Sequence, residues 1–334
     1  MKVAIHHRKG SYSDSWIEYC KSNNIKYKLF NAFDNDVINE ILEYDLFLWN
    51  FHHTLKCDII HAKSLLFTLE KKGVKVYPNF NTMYHFDDKI AQKIIFEAFG
   101  IPSINSYIFY NKNDALIWLN SAKFPKIFKL KSGSGGLNVQ KVNTKTHAKK
   151  LIKRGFGAGF KSFNLFEFAK DELNKTDYNV FKLIKVFVKL LYILIVGTEY
   201  TKNSTREQGY VYFQDYIPNN SFDVRLIVID NKAYGMKRVV RPNDFRASGS
   251  NTFIYDDIDK KILEIGFHVA NQLNLQSVAF DFIYSDDKPV IVEMSYTFGT
   301  KGSSKCNGYY DNNFNFHEAS FNPINWIIKS LIKS

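Results

Sequence analysis

Cysteine is scarce in this chain of 334 residues: Cys20, Cys57 and Cys306 stand far apart and no C-x-x-C pair occurs. That spacing excludes a disulfide framework and a thiolate zinc site, and it fits a reducing compartment. A G-x-S-x-G elbow and a Cys/His signature are missing, and the nine histidines lack H-E-x-x-H spacing, so no side-chain nucleophile or zincin metal site is implied. The G-x-x-x-x-G-K-[ST] phosphate loop is absent as well. The opening "MKVAIHH" turns polar too quickly for a signal peptide, so a cytoplasmic protein is expected. No arginine-rich run or zinc-finger spacing accompanies the net charge of +12, which argues against a nucleic-acid partner. The excess is mostly lysine spread along the chain, in a background rich in Asn, Ile, Phe and Tyr.

What is present is alternation. "KVAIHH", "YKLFNA", "DLFLWN" and "VKVYPN" are short β-rich runs, separated by segments of helical spacing such as "SWIEYCKSNNI" and "AKSLLFTLEKKG". This predicts an α/β fold opening with a parallel lobe over residues 1–79, whose ligand-facing loops are His6 to Asp14 and Asn50 to His53. A second lobe is expected over 80–216, with a helical insert at about 155–205, and a third over 217–334. Asn322 is placed to cap a closing helix with Pro323 in its first turn.

Three features carry chemistry. In "FPKIFKLKSGSGGLNV" (124–139) a strand lysine, Lys129, precedes a Gly/Ser loop. Glycine lets backbone N–H groups approach phosphate oxygens, although an ordinary hairpin turn has the same letters. In "VAFDFIYSDDKPVIVEMS", Asp281 and Glu293 lie on neighbouring strand-like runs among apolar residues. If those strands pair, the two acids share one face and suit magnesium, which takes oxygen ligands and bridges to phosphates; a solvated face explains one acid more easily than both. The third feature is the basic group Lys237, Arg238, Arg241 and Arg246 after Asp223 and Arg225. Converging cations stabilise a moving phosphoryl group, and a solvated basic hairpin is the alternative.

In this order, from about Asn79 to Gly299, the chain resembles the ATP-grasp superfamily, notably its glutamate-ligase and glutathione-synthetase-like branch. "DDK" (87–89) with "GIP" (100–102) matches the entry helix and makes Lys89 the first nucleotide-binding lysine. "KLKSGSGGLNV" matches the second, Lys129, with the covering loop Gly133, Ser134, Gly135 and Gly136. "YFQDYIP" is similar to the adenine hinge, here Phe213, Gln214, Asp215 and Ile217. The D-x-R, K/R-R and F-R segments place Asp223, Arg225, Lys237, Arg238 and Arg246 around the phosphates, and "FDFI" with "VIVEMS" resembles the metal-binding end, Asp281, Glu293 and Ser295. Ser295 and Ser248 stand where the family carries asparagine. The tail "EMSYTFG", "CNGYYD" and "HEASFNP" resembles a branch associated with bacterial surface-polysaccharide synthesis.

The resemblance implies two ATP-grasp lobes with ATP between them, Mg2+ or Mn2+, and ligation of a carboxylate to an amine through an acyl phosphate. The carboxylate is expected to be a sugar acid or an amino acid. A kinase of the same fold and a degenerate nucleotide-binding regulator remain as alternatives. Arg8, Arg246 and Lys301 are candidates to hold an acceptor carboxylate, and Tyr309, Tyr310 and His317 to stack on a sugar, with ordinary surface loops the alternative for each. Residues 181–196, "FKLIKVFVKLLYILIV", place Lys182, Lys185 and Lys189 on one helical face. Packing in the core or between lobes is one reading; peripheral contact with an anionic membrane at its inner face, or with a second subunit, is the other.

Overall fold

The computed structural model describes residues 1–133, 138–161, 168–169, 180–197, 206–241, 244–250, 252–300 and 302–333. Strands β1 (Lys2–His6), β2 (Lys26–Phe30), β3 (Leu46–Leu48) and β4 (Lys75–Tyr77) form a sheet in the order β2-β1-β3-β4. All its neighbours are parallel. Helices α1 (Tyr12–Ser22), α2 (Val37–Ile41) and α3 (Lys56–Lys71) make the crossovers that parallel pairing requires. Val3, Ala4, Ile5, Leu46, Phe47 and Leu48 are fully buried, as continuous apolar strands covered on both faces should be.

The next lobe follows α4 (Phe80–Tyr84) and α5 (Lys89–Ala98) with β5 (Ser106–Phe109), α6 (Lys112–Ser121), β6 (Lys126–Lys129), β7 (Val139–Val142) and α7 (Lys145–Gly155). Beyond them come β8 (Phe160–Lys161), α8 (Val180–Ile195), β9 (Arg206–Glu207) and β10 (Val211–Asp215). An antiparallel sheet, β5-β10-β6-β7, packs Phe128, Val211 and Phe213 against Ala115, Leu119, Leu151 and Ile152 of α6 and α7, forming a core of its own. Core or interlobe packing does not describe α8 as a whole. Val186 and Ile193 are buried, but Phe187 is 61% and Ile195 79% exposed, because a helix apolar nearly all round has more greasy surface than one contact stripe can cover.

The largest sheet comprises β11 (Phe222–Ile229), β12 (Lys232–Val239), β13 (Phe253–Ile254), β14 (Ser277–Ser285), β15 (Lys288–Ser295), β16 (Gly308–Asp311) and β17 (Phe316–Glu318). Its order is β15-β14-β11-β12-β16-β17, with β13 also on β12. Helix α9 (Lys260–Gln272) covers one face, over Leu226, Val228, Val278 and Phe280. At Gly266 an added Cβ would come within 2.3 Å of Leu226 Cδ2, so a glycine permits this close approach. The other face, through Ile227, Ile229, Tyr234 and Ala279, shares one core with the first lobe and with α10 (Pro323–Lys333). Tyr12 Oη donates to the Phe298 carbonyl at 2.7 Å and Tyr296 Oη to that of Phe51 at 2.8 Å. Asn322 caps α10 as expected, its Oδ1 accepting from the Ile324 N–H at 3.0 Å.

Candidate active site

Strand alternation builds one wall of the site. The face that carries Ile227, Tyr234 and Ala279 into the core carries, further along the same strands, Asp223 and Arg225 on β11, Arg238 on β12 and Asp281 on β14. The register sets Asp223 opposite Arg238, Arg225 opposite Asp281, and Asp281 opposite Glu293 of β15. A row of charges therefore crosses four adjacent strands. Arg225 clasps Asp281 with Nε to Oδ1 at 2.7 Å and Nη2 to Oδ2 at 2.8 Å. Arg238 clasps Asp223 at 2.7 and 2.6 Å and also reaches Asp281 Oδ2 at 2.8 Å. Burial opposes charge on Asp281, but the two guanidiniums hold its carboxyl well below the usual carboxylate range.

Lys89 and Lys129 form the facing wall. Lys89 is the first residue of α5, behind the cap Asp88, whose side chain accepts from the Ile90 and Ala91 N–H groups. A buried cation at the positive end of a helix is locally unfavourable. Here Nζ lies 3.3 Å from Glu293 Oε1 and donates to the Gly133 carbonyl at 2.9 Å. Burial works against the ammonium, yet Glu293 and Asp87 hold its pKa above the ordinary value. Lys129 ends β6 and is equally deep, and burial pushes it down to about 8, with Glu293 only partly opposing. Gly133, at φ 125°, donates its N–H to Asp87 Oδ1 at 2.8 Å, a backbone conformation that favours glycine.

The two walls enclose a cavity of about 840 Å³. Its lining includes Lys89, Lys129, Gly133, Gln214, Asp215, Ile217, Asp223, Arg225, Arg238, Arg246, Asp281, Glu293 and Ser295. Ser134, Gly135 and Gly136 lie outside the described residues. Two positions fall elsewhere for a single reason, the two-residue period of a strand. Lys237, between Met236 and Arg238, faces away from the lining and reaches Asp256 Oδ2 at 3.1 Å. The Phe213 side chain is buried in the middle lobe's core, packed on Trp118 and Phe128. Asp215 is in the lining but pairs with Lys126.

Arg246 lines the cavity, with Nη2 2.7 Å from Asp244 Oδ2. Among the acceptor candidates, Arg8 is absent from the lining; it binds the buried Asp58 at 2.8 Å and the Asn50 carbonyl at 2.8 Å. Tyr309 stacks on His317 at 5.2 Å and Tyr310 is buried beside α9, none of the three in the lining; Lys301 is not among the described residues. The expected loop after β3 does reach the cavity, through Asn50, His52 and His53. Burial and neighbouring positive charge push both histidines down to about 4.

Asp87 was not singled out by sequence reasoning. It lines the cavity with its carboxyl lifted to about 6 by burial. The signal available was its place at the entry to α5, two residues ahead of Lys89.

Among the described residues no group of three Asp, Glu, His or Cys side chains could hold a metal ion. Asp281 and Glu293 do face one another, and Asp281 uses three of its roughly four acceptor positions on Arg225 and Arg238. That suits an ion such as Mg2+, which binds through one or two carboxylates and completes its shell with water and phosphate. Ser295 Oγ lies two residues beyond Glu293 in the same lining, 3.5 Å from Thr297 Oγ1.

Residues 192–312 match the model of the RimK-like ATP-grasp domain. No significant match was found among curated protein sequences. Several solved structures are similar in fold. The RimK domain ATP-grasp protein of Sphaerobacter thermophilus aligns over 99% of both chains with a TM-score of 0.59 and 13% identity. D-alanine–D-alanine ligase from Bacillus anthracis aligns over 100% of this chain and 96% of its own, with a TM-score of 0.58 and 13% identity. The biotin carboxylase domain of Hydrogenobacter thermophilus 2-oxoglutarate carboxylase, solved with MgADP and bicarbonate, covers 100% of this chain and 70% of its own, at 0.61 and 11%. With its parallel first sheet and two antiparallel sheets around the cavity, this chain has the ATP-grasp fold.

Proposed function

We propose that the chain is an ATP-dependent ligase that joins a carboxylate to an amine through an acyl phosphate. The observation that carries this reading is the opposition of Lys89 and Lys129 to the row Arg238, Asp223, Arg225, Asp281 and Glu293 within one cavity. Buried lysines beside a glycine turn suit a nucleotide's phosphates, and the cavity edge at Gln214, Asp215 and Ile217 suits its base. The MgADP bound to the biotin carboxylase relative is consistent with that assignment. Asp281, Glu293 and Ser295 are the residues to hold Mg2+, which would neutralise phosphate charge.

A carboxylate does not react with an amine at neutral pH, whereas an acyl phosphate does. Catalysis by this constellation rests on positioning and on fixed charge, with Arg225 and Arg238 held rigid by Asp223 and Asp281. The acceptor enters from the side of Asn50, His52 and His53. A sugar acid or amino acid is the proposed substrate, the likeness of the tail to the surface-polysaccharide branch being its support.

Incubation with ATP, Mg2+, candidate acids and hydroxylamine tests the reading. Hydroxamate with ADP release is expected. A stable phosphorylated product without hydroxamate would replace the ligase by a kinase, and no turnover with any acid, despite tight ATP binding, would point to a regulator.

A further inference from the structure

Helix α8 presents an apolar stripe to water. Ile184, Val188, Leu191 and Ile195 recur at helical spacing, and Phe187 flanks them. Their exposures are 54, 57, 39, 79 and 61% in that order. Among the described side chains of the helix, the buried ones, Val186 and Ile193, lie on the far side. Such a stripe is a large apolar patch facing water, and patches of that kind mark contact surfaces.

Within the helix itself the charge is of one sign. Lys185 and Lys189 lie one turn apart along the edge of the stripe, Lys189 also 4.9 Å from the Phe168 ring, and no Asp or Glu occurs between 180 and 197. The whole chain carries +12. No described helix is long and apolar enough to cross a membrane. Exposed aliphatic side chains edged by lysine, on a helix that cannot span, fit the plane of a bilayer whose surface is negative: the apolar side chains enter the acyl boundary while the ammonium groups stay at the phosphates.

From this geometry we infer that α8 docks the protein on an anionic lipid surface. A second copy is a poorer occupant, because two-fold pairing of the stripe would bring like-charged lysine edges of two basic chains together.

The test uses the full chain in co-sedimentation with vesicles of phosphatidylcholine alone and of phosphatidylcholine with phosphatidylglycerol. Binding to the anionic vesicles is expected, weakened by salt and reduced about tenfold or more in Phe187→Ser/Leu191→Ser/Ile195→Ser. The charge variant Lys185→Glu should weaken the preference for phosphatidylglycerol while keeping the wild-type melting temperature, so the inference stays testable if the triple variant folds poorly. Equal binding to both vesicles, or undiminished binding by either variant, would overturn it. So would a dimer in sedimentation velocity that the triple variant abolishes, with no vesicle binding by the wild type.

Discussion

The two walls of the cavity solve the problem of buried charge in opposite ways. On the large sheet, Arg238, Asp223, Arg225 and Asp281 satisfy one another through paired hydrogen bonds. On the middle lobe, Lys129 is as deeply placed, yet no hydrogen bond or ion pair to its ammonium is found among the described residues, and its pKa is pulled down to about 8. Lys89 is intermediate, anchored by Glu293 and the Gly133 carbonyl. One wall is a finished scaffold; the other holds an ammonium with no hydrogen-bonded partner among the described residues, favoured only at longer range by Glu293 and Asp281. Buried ion pairs contribute little net stability but are expensive to break, so the scaffold should reveal itself through folding and the lysine through binding.

The largest effect should come from breaking the scaffold. Arg238→Ala strands Asp223 and removes one contact of Asp281, which should cost about 3–5 kcal/mol in urea unfolding. Lys129→Met should invert the pattern: stability at neutral pH is kept or raised, while nucleotide affinity falls roughly 10–100-fold, the value of a charge-assisted hydrogen bond measured by calorimetry. Its pH dependence sharpens the contrast. The folded-state pKa lies below the ordinary 10.5, so protonation of Lys129 opposes folding below about 8, and that penalty fades as pH climbs from about 8 towards 10.5. Wild-type stability relative to Lys129→Met should therefore rise across that window, and the wild-type advantage in nucleotide affinity should shrink. The smallest effect belongs to Lys237→Ala, where a surface pair with Asp256 is lost; under about 1 kcal/mol is expected in the same unfolding assay, with nucleotide affinity unchanged.

Much of this arrangement could be read from letters, and the unread parts share a cause. Strand alternation and the order of lysine, glycine turn, basic hairpin and late acids pointed to the residues of both walls. Letters do not say which neighbour a charge will choose. That Arg225 and Arg238 spend their donors on Asp281 and Asp223 follows from strand register, a product of the whole sheet. Lys237 and Arg238 are adjacent in sequence and equally basic, but a pleated strand sends one into the cavity lining and the other away from it. Arg8 looked available for an acceptor until Asp58, fifty residues later, came into contact with it. Helix α8 resembled core because apolar composition carries no information about how much partner surface is present.

The first lobe's continuity with the large sheet has a consequence for ancestry and engineering. Trp16, Trp49 and Tyr77 belong to the same core as Tyr234, Tyr296 and Ile327, and Tyr77 Oη meets Ser277 Oγ at 2.7 Å. A recombination that exchanged only the opening segment with that of a distant cousin would leave mismatched aromatic surfaces on both sides of the joint. The middle lobe, whose aromatic core is its own, is the part better suited to transplantation. Changes of acceptor preference should then arise by point substitution around Asn50 and His53 rather than by wholesale replacement of the lobe that bears them.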